Sequence, residues 1–237
     1  MGNNVPKAAP IFHAERGVTL LGGGALGAVD LDLALSLAPH LVAADGGAGA
    51  ALAAGLMPEA VYGDMDSLSP ADQARIAPDR IHAIAEQDST DFDKALRHIR
   101  APVVLAAGFT GDRVDHELSV YHGLVTRPDT RCIVLGAQDL VLHAPPVLRL
   151  DLPAETRISL FPLARVTGRA TGLVWPIDHL VFDPFQRIGT SNRTDGRTLE
   201  LCFDSPGMLV IVPRAHLAVV SAAMMGVSVW SRTGDAN

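Results

Sequence analysis

Between residues 18 and 136, short continuous apolar runs alternate with stretches in which Leu and Ala recur at helical spacing. The runs at 18–21, 41–44, 60–62, 81–84, 103–106 and 132–135 predict strands, and the stretches at 28–38, 48–54, 91–99 and 118–125 predict helices. This alternation predicts βαβ units, hence an α/β domain with a mostly parallel, Rossmann-like sheet. After Gly136 the texture changes. Strand-like runs at 140–143, 147–152, 157–161, 199–203 and 208–212 are separated by turn residues such as Pro145-Pro146, Asp183-Pro184 and Ser205-Pro206-Gly207. They predict an all-β sandwich. The division falls at 137–139, giving an α/β domain over 14–138 and a β domain over 139–237, with loose tails at both ends.

Composition narrows the class. A chain of 237 residues that is 48% hydrophobic and 19% charged is long enough for one sizeable core or two smaller ones. Its formal net charge is -7, and its only lysines are Lys7 and Lys94. A duplex nucleic-acid partner or an anionic membrane is therefore not expected, since either demands clustered basic residues. Cys132 and Cys202 sit inside apolar runs with no CxxC spacing, which reads as small buried residues in a reducing compartment. No run approaches the roughly 20 apolar residues of a membrane span, and no leader-like segment opens the chain, so a cytoplasmic location is expected.

The polar islands that follow the predicted strands carry the chemistry. Gly63-Asp64-Met65-Asp66-Ser67 places two carboxylates at alternate positions of a strand-to-loop turn, where they can share a cation or simply be solvated. Asp45-Gly46-Gly47-Ala48 offers a strand-end carboxylate and a tight turn into a helix, or just a helix cap. In Asp88-Ser89-Thr90-Asp91-Phe92-Asp93-Lys94, Thr90 suits an N-cap, with Asp91 and Asp93 in the first turn. Asp91 and Lys94 also fit a surface pair at i, i+3. Gly108-Phe109-Thr110-Gly111-Asp112-Arg113-Val114-Asp115-His116 adds a guanidinium suited to polyphosphate, a further carboxylate, and a histidine expected to orient a neighbour or line a cleft. Because strand ends of an open α/β sheet converge on one crevice, these islands predict a divalent-metal and phosphate site. A competing motif is Gly22-Gly23-Gly24-Ala25-Leu26-Gly27, which matches GxGxxG, with Asp45 where a ribose-binding acid would sit.

In order and spacing the four acidic islands, together with Gln87 and with Lys94-Ala95-Leu96, resemble the thiamine pyrophosphokinase family. The likeness continues in Gly172-Leu173-Val174-Trp175-Pro176 and Thr190-Ser191-Asn192. The resemblance implies an ATP-binding α/β domain, a C-terminal β-sandwich that binds thiamine and dimerises, and a homodimer with thiamine sites between subunits. It implies Mg²⁺ held by Asp64, Asp66 and Asp91, with Asp115 joining them in catalysis. Asp45, Gly46, Gln87, Asp88, Thr90, Lys94, Arg113 and His116 would line the nucleotide and thiamine site, and Ser191 and Asn192 would approach thiamine from the β domain. The expected reaction moves pyrophosphate from ATP to the thiamine hydroxyl. Three positions depart from the family's habit: Gly49 and Val120 stand where Asn is usual, and Asp112 where a second Gly is usual. They bear on acceptor choice and rate. Trp175, Phe185 and Trp230 are the candidates to stack on the acceptor.

Three other functions fit parts of the same sequence. A nicotinamide-dependent oxidoreductase would use the glycine run and Asp45 but leave the other aspartates unexplained. A nucleotide or thiamine sensor would keep the fold without the chemistry. A pyrophosphokinase for another hydroxymethyl heterocycle would differ only in its acceptor pocket.

Overall fold

The computed structural model describes residues 9–24, 27–111 and 113–231. The tails expected to be loose, 1–8 and 232–237, lie outside them, as do Ala25 and Leu26 of the glycine run and the departure at Asp112. The N-terminal half runs β1 (Phe12–His13), β2 (Val18–Leu21), α1 (Ala28–Leu37), β3 (His40–Ala44), α2 (Gly47–Ala53), β4 (Ala60–Gly63), α3 (Pro70–Gln73), β5 (Ile81–Ala83), α4 (Asp91–Leu96), β6 (Ile99–Arg100), β7 (Val104–Ala107), α5 (Val114–Thr126) and β8 (Cys132–Leu135). The C-terminal half runs β9 (Asp139–His143), β10 (Val147–Leu150), β11 (Arg157–Pro162), β12 (Val166–Thr171), β13 (Val181–Phe182), β14 (Gly189–Arg193), β15 (Leu199–Phe203), β16 (Met208–Pro213) and α6 (Leu217–Met225).

Strand pairing follows the two textures of the sequence. β2, β7 and β8 are parallel neighbours, and β3, β4 and β5 form a second parallel set. The two sets meet where His40 N donates to Gly17 O beside the Val18 to Pro39 bridge. On its other side β8 pairs antiparallel with β9, and the sheet continues in the order β14-β11-β16-β9-β8-β7-β2. The strands on either side of the turn at 136–138 thus belong to one sheet. A four-stranded antiparallel sheet, β10-β15-β12-β13, faces its C-terminal part.

Alternation along each strand explains the layers. Leu140 and Leu142 of β9 and Val210 and Val212 of β16 join one core with Leu148, Leu199 and Leu201 of the facing sheet. Val141 and Leu209, one residue out of phase, join the opposite core under Phe92 of α4 and Val120 and Leu124 of α5. The half after Gly136 is β-rich rather than all-β, because α6 buries Leu217, Val220 and Met224 in the first core. Both cysteines are buried and free. Among the described residues no helix is long and apolar enough to cross a membrane.

Candidate active site

Asp45 and Asp64 immediately follow adjacent parallel strands, β3 and β4, which are in register at Ala44 and Tyr62. Their carboxylates are neighbours for that reason. Asp91 reaches the same point as the first residue of α4, where Thr90 is the N-cap and its Oγ1 accepts a hydrogen bond from Asp93 N at 3.3 Å. One oxygen of each of Asp45, Asp64 and Asp91 lies within 4.8 Å of the others. Asp66 is not one of this trio: its carboxylate accepts from Ser67 Oγ, and its backbone N–H points back to Asp64 Oδ1.

The backbone is strained at this convergence. Asp45 has φ +41° and Met65, between the two aspartates of the turn, has φ +68°, both in the left-handed region. Side chains other than glycine rarely hold that geometry unless their surroundings impose it. At Asp45 the surroundings are visible, because its N–H donates to Tyr62 O at 2.9 Å and its Oδ2 accepts from Ser67 N at 3.1 Å. The other oxygen, Oδ1, is buried with no hydrogen-bond partner. Burial raises the Asp45 pKa above the ordinary carboxylate value, against the hydrogen bonds from Ser67.

Lys94, one turn into α4, is only 2% exposed and places its ammonium 3.0 Å from Asp64 Oδ2 and 3.2 Å from Asp91 Oδ1. Burial works against its charge, but the hydrogen bonds to Asp64 and Asp91 outweigh that and raise its pKa. The same contact with Lys94 lowers the pKa of Asp64. Two of the three clustered carboxylates therefore share one ammonium, leaving an excess of two negative charges and, on Asp45, one unsatisfied oxygen. Such an excess at low dielectric is costly until a cation reduces it.

A cavity of about 610 Å³ opens beside this cluster. It is lined by Asp45, Gly46, Thr90, Asp91, Arg113 and His116, with Val120 on its apolar side near Phe92 and Phe109. Arg113 grips Asp115 through two hydrogen bonds, 2.7 and 3.3 Å, which lower the Asp115 pKa. Both side chains of that pair are exposed. Gln87 and Asp88 are exposed and line neither of the two cavities described here. Ser191, with φ +64°, and Asn192 lie in the β-rich half at a second cavity of about 290 Å³ that Trp175 also lines. There Asn192 Nδ2 donates to Trp175 O, and Arg193 sits over the Trp175 ring at 5.1 Å. Phe185 is almost fully exposed, whereas Trp230 donates through Nε1 to Ala144 O.

The glycine run has a packing explanation. A Cβ on Gly22 would lie 2.5 Å from Gly108 O, so two chain segments cross here at backbone contact. Gly22 N donates to Ala107 O and Gly24 N to Gly108 O, both at 2.8 Å. Those N–H groups are used within the protein and do not face a pyrophosphate, and Asp45 belongs to the carboxylate trio. The dinucleotide reading loses both of its supports.

Sequence reasoning did not find the shielding of Lys94, the partner of Asp93, or the N-terminal extent of α5. Arg127 forms a bidentate pair with Asp93, both bonds 2.7 Å, tying α4 to the end of α5. An acidic residue in the first turn of one helix and an arginine ending the next was the available signal.

Residues 31–134 match the family model for the thiamin pyrophosphokinase catalytic domain. The chain is 28% identical over 167 residues to thiamine pyrophosphokinase 1 of Arabidopsis thaliana, the alignment spanning 62% of each. It thus spans less than two thirds of that relative's length. Over 180 residues it is 26% identical to thiamine pyrophosphokinase 3 of Oryza sativa subsp. japonica, covering 67% of each. The fold matches the thiamin pyrophosphokinase from Geobacillus thermodenitrificans with TM-score 0.67, 24% identity, and 83% of this chain and 96% of that one covered. It also matches the thiamin pyrophosphokinase from Candida albicans with TM-score 0.71, 15% identity, and coverage of 88% and 94%.

Proposed function

We propose that this chain, a member of the thiamine pyrophosphokinase family, transfers pyrophosphate from ATP to the primary hydroxyl of thiamine, giving thiamine diphosphate and AMP. The observation that carries this reading is the convergence of Asp45, Asp64 and Asp91 on buried Lys94, inside the family-matched segment and beside a cavity large enough for a ligand. In the reaction the hydroxyl oxygen bonds to the β-phosphorus, the bond from that phosphorus to the α-phosphate oxygen breaks, and AMP leaves with that oxygen. The hydroxyl proton passes to a nearby base or to water.

A hard divalent cation, Mg²⁺ in this reading, fits the donor set. All three donors are carboxylates, they carry excess negative charge, and the orphaned Oδ1 of Asp45 is a ligand atom in waiting. When bound it would be held by Asp45, Asp64 and Asp91 and would supply charge neutralisation to the phosphate oxygens. Lys94 keeps Asp64 ionised and fixes the spacing of Asp64 and Asp91. Arg113, on the cavity wall, is placed to draw a polyphosphate toward the cluster, and Asp115 sets the direction of its guanidinium. Because Arg113 holds Asp115 below the usual carboxylate range, Asp115 suits alignment better than proton removal. Catalysis then rests on positioning and charge complementarity, as phosphoryl transfer requires.

The finer picture is a nucleotide-binding, Rossmann-like N-terminal half and an acceptor site completed by a homodimer. Ser191 and Asn192 line a cavity separate from the carboxylate cleft, and Trp175 and Ile188 beside them are exposed apolar surface that a second copy would cover. An AMP-release assay on purified protein with ATP and Mg²⁺, thiamine added or omitted, tests the reading. AMP formed only with thiamine is the expected result. Thiamine-independent AMP refutes the acceptor, and ligand binding without AMP makes the protein a sensor.

A further inference from the structure

Helix α4 carries Asp91 in its first turn and Lys94 in its last, yet it has only six residues, too few to hold itself by its own hydrogen-bond ladder. Its two ends must therefore be fixed from outside. Thr90 caps the first end, and its backbone O accepts from Lys94 N at 2.8 Å. At the other end the ladder would send His98 N to Lys94 O, but His98 N turns to Ala95 O at 3.0 Å. The His98 ring takes Lys94 O instead, with Nδ1 at 2.6 Å. A carbonyl oxygen only accepts, so Nδ1 carries the proton of that bond.

The ring is itself held in place. It stacks on Tyr62 of β4 with centroids 5.1 Å apart and planes 14° apart, and His82 of β5 also lies against Tyr62, at 4.9 Å. Tyr62 is only 1% exposed; its Oη donates to Pro10 O at 2.8 Å and its backbone O accepts from Asp45 N. The backbone O of His98 accepts from Phe12 N at 2.7 Å, where β1 pairs with β6. His98 therefore rests on the strand that delivers Asp64 while its Nδ1 grips the helix that delivers Asp91 and Lys94. We propose that His98 is a positioning residue for the carboxylate site: by holding the Lys94 carbonyl it fixes the turn of α4 from which Lys94 spaces Asp64 and Asp91. The inference rests on the transfer reading above. His98 touches none of the three carboxylates through the contacts just described and acts on them through Lys94. Groups that orient metal-binding side chains in this indirect way are commonly worth about 10–100-fold in metal affinity or activity.

Two variants separate the hydrogen bond from the packing. His98→Asn keeps a donor where Nδ1 stands, His98→Leu keeps bulk without a donor, and both lose the stack on Tyr62. Binding is read on the full chain with Mn²⁺ alone, which takes the oxygen ligands that Mg²⁺ takes, by the fall of the free ion's paramagnetic signal. His98→Leu should weaken Mn²⁺ by about tenfold or more, and His98→Asn should return it to within about threefold of wild type. Equal Mn²⁺ affinity in wild type and His98→Leu, or a folded His98→Asn as weak as His98→Leu, overturns the inference. Should His98→Leu misfold, His98→Asn is read together with NMR of the imidazole nitrogens in the wild type. A slowly exchanging proton on His98 Nδ1 and near-wild-type Mn²⁺ affinity in His98→Asn support the role; a bare Nδ1, or Mn²⁺ binding lost in His98→Asn, overturns it. Wild type that binds no Mn²⁺ overturns the cation reading and this inference with it. Wild type that binds Mn²⁺ but forms no AMP with thiamine refutes the transfer reading and leaves the hold of His98 on the carboxylate site to be judged by the variants.

Discussion

Charge is balanced differently in the two halves of the molecule. In the β-rich half, guanidiniums and carboxylates pair one to one at the surface, as in Arg149 with Glu200, Arg193 with Glu155 and Arg197 with Asp195. Exposed pairs of this kind are worth little and ask for no further partner. At the strand ends of the N-terminal half, two of three clustered carboxylates share one buried ammonium and an oxygen of the third, Asp45, is left unpaired. The first arrangement is complete as it stands, while the second is completed only by added positive charge. A stability-neutral surface and a ligand site thus differ in stoichiometry, not in residue type.

Substitutions should widen that contrast in a graded order. Asp64→Asn, which removes a member of the trio and one of the two carboxylate partners of Lys94, should lower thiamine-dependent AMP formation by about 10³-fold, and Asp66→Asn by only about tenfold, read in one steady-state assay. Equal losses would return Asp66 to the trio. Lys94→Met leaves two carboxylates facing each other without their cation and should cost about 3–5 kcal/mol in urea unfolding without Mg²⁺. The matching change in the β-rich half, Arg197→Ala, should stay within about 0.5 kcal/mol.

Acid should also expose a weakness of the β-rich half. Burial pushes the pKa of His143 down to about 4, and its Nε2 accepts from Gly207 N at 2.8 Å, which requires the neutral ring. A depressed folded-state pKa means the unfolded chain binds more protons. The contribution is therefore full above pH 6.5 and is lost as pH falls toward about 4, roughly 3 kcal/mol in all. His143→Gln should flatten that limb of a stability-against-pH curve. Next in size, Arg127→Ala, which frees Asp93 and loosens α4 against α5, should cost about 2 kcal/mol and raise the KM for ATP as the placement of Asp91 and Lys94 relaxes.

Much of this was legible in the residues because parallel strands are apolar on both faces and end abruptly in polar islands. The β8 run, 132–135, was read to the residue, and Asp45, Asp64 and Asp91 stood out as strand-end or helix-start carboxylates. Which aspartates converge was not legible. That depends on φ +41° at Asp45 and on the Ser67 N–H that holds it, neither of which has a local signature. Strands β12 and β14 escaped because Val-Thr-Gly-Arg-Ala-Thr and Gly-Thr-Ser-Asn-Arg are polar, partly exposed segments held by backbone pairing. Helix α6 was missed because Leu-Ala-Val-Val-Ser-Ala-Ala-Met-Met is apolar almost all round and shows no periodic face. Helix α5 begins at Val114, not near Leu118, because Asp115, His116 and Glu117 read as loop while forming a first helical turn.

The most direct test of the central claim is the melting temperature of wild type, Asp45→Asn and Asp91→Asn against Mg²⁺ concentration at constant ionic strength. A cation shared by the trio predicts a saturable rise in the wild type that disappears in Asp91→Asn and shrinks in Asp45→Asn. The same rise should fade in the wild type as acid protonates Asp45, whose pKa is raised by burial. Identical Mg²⁺ responses in all three proteins would contradict the account.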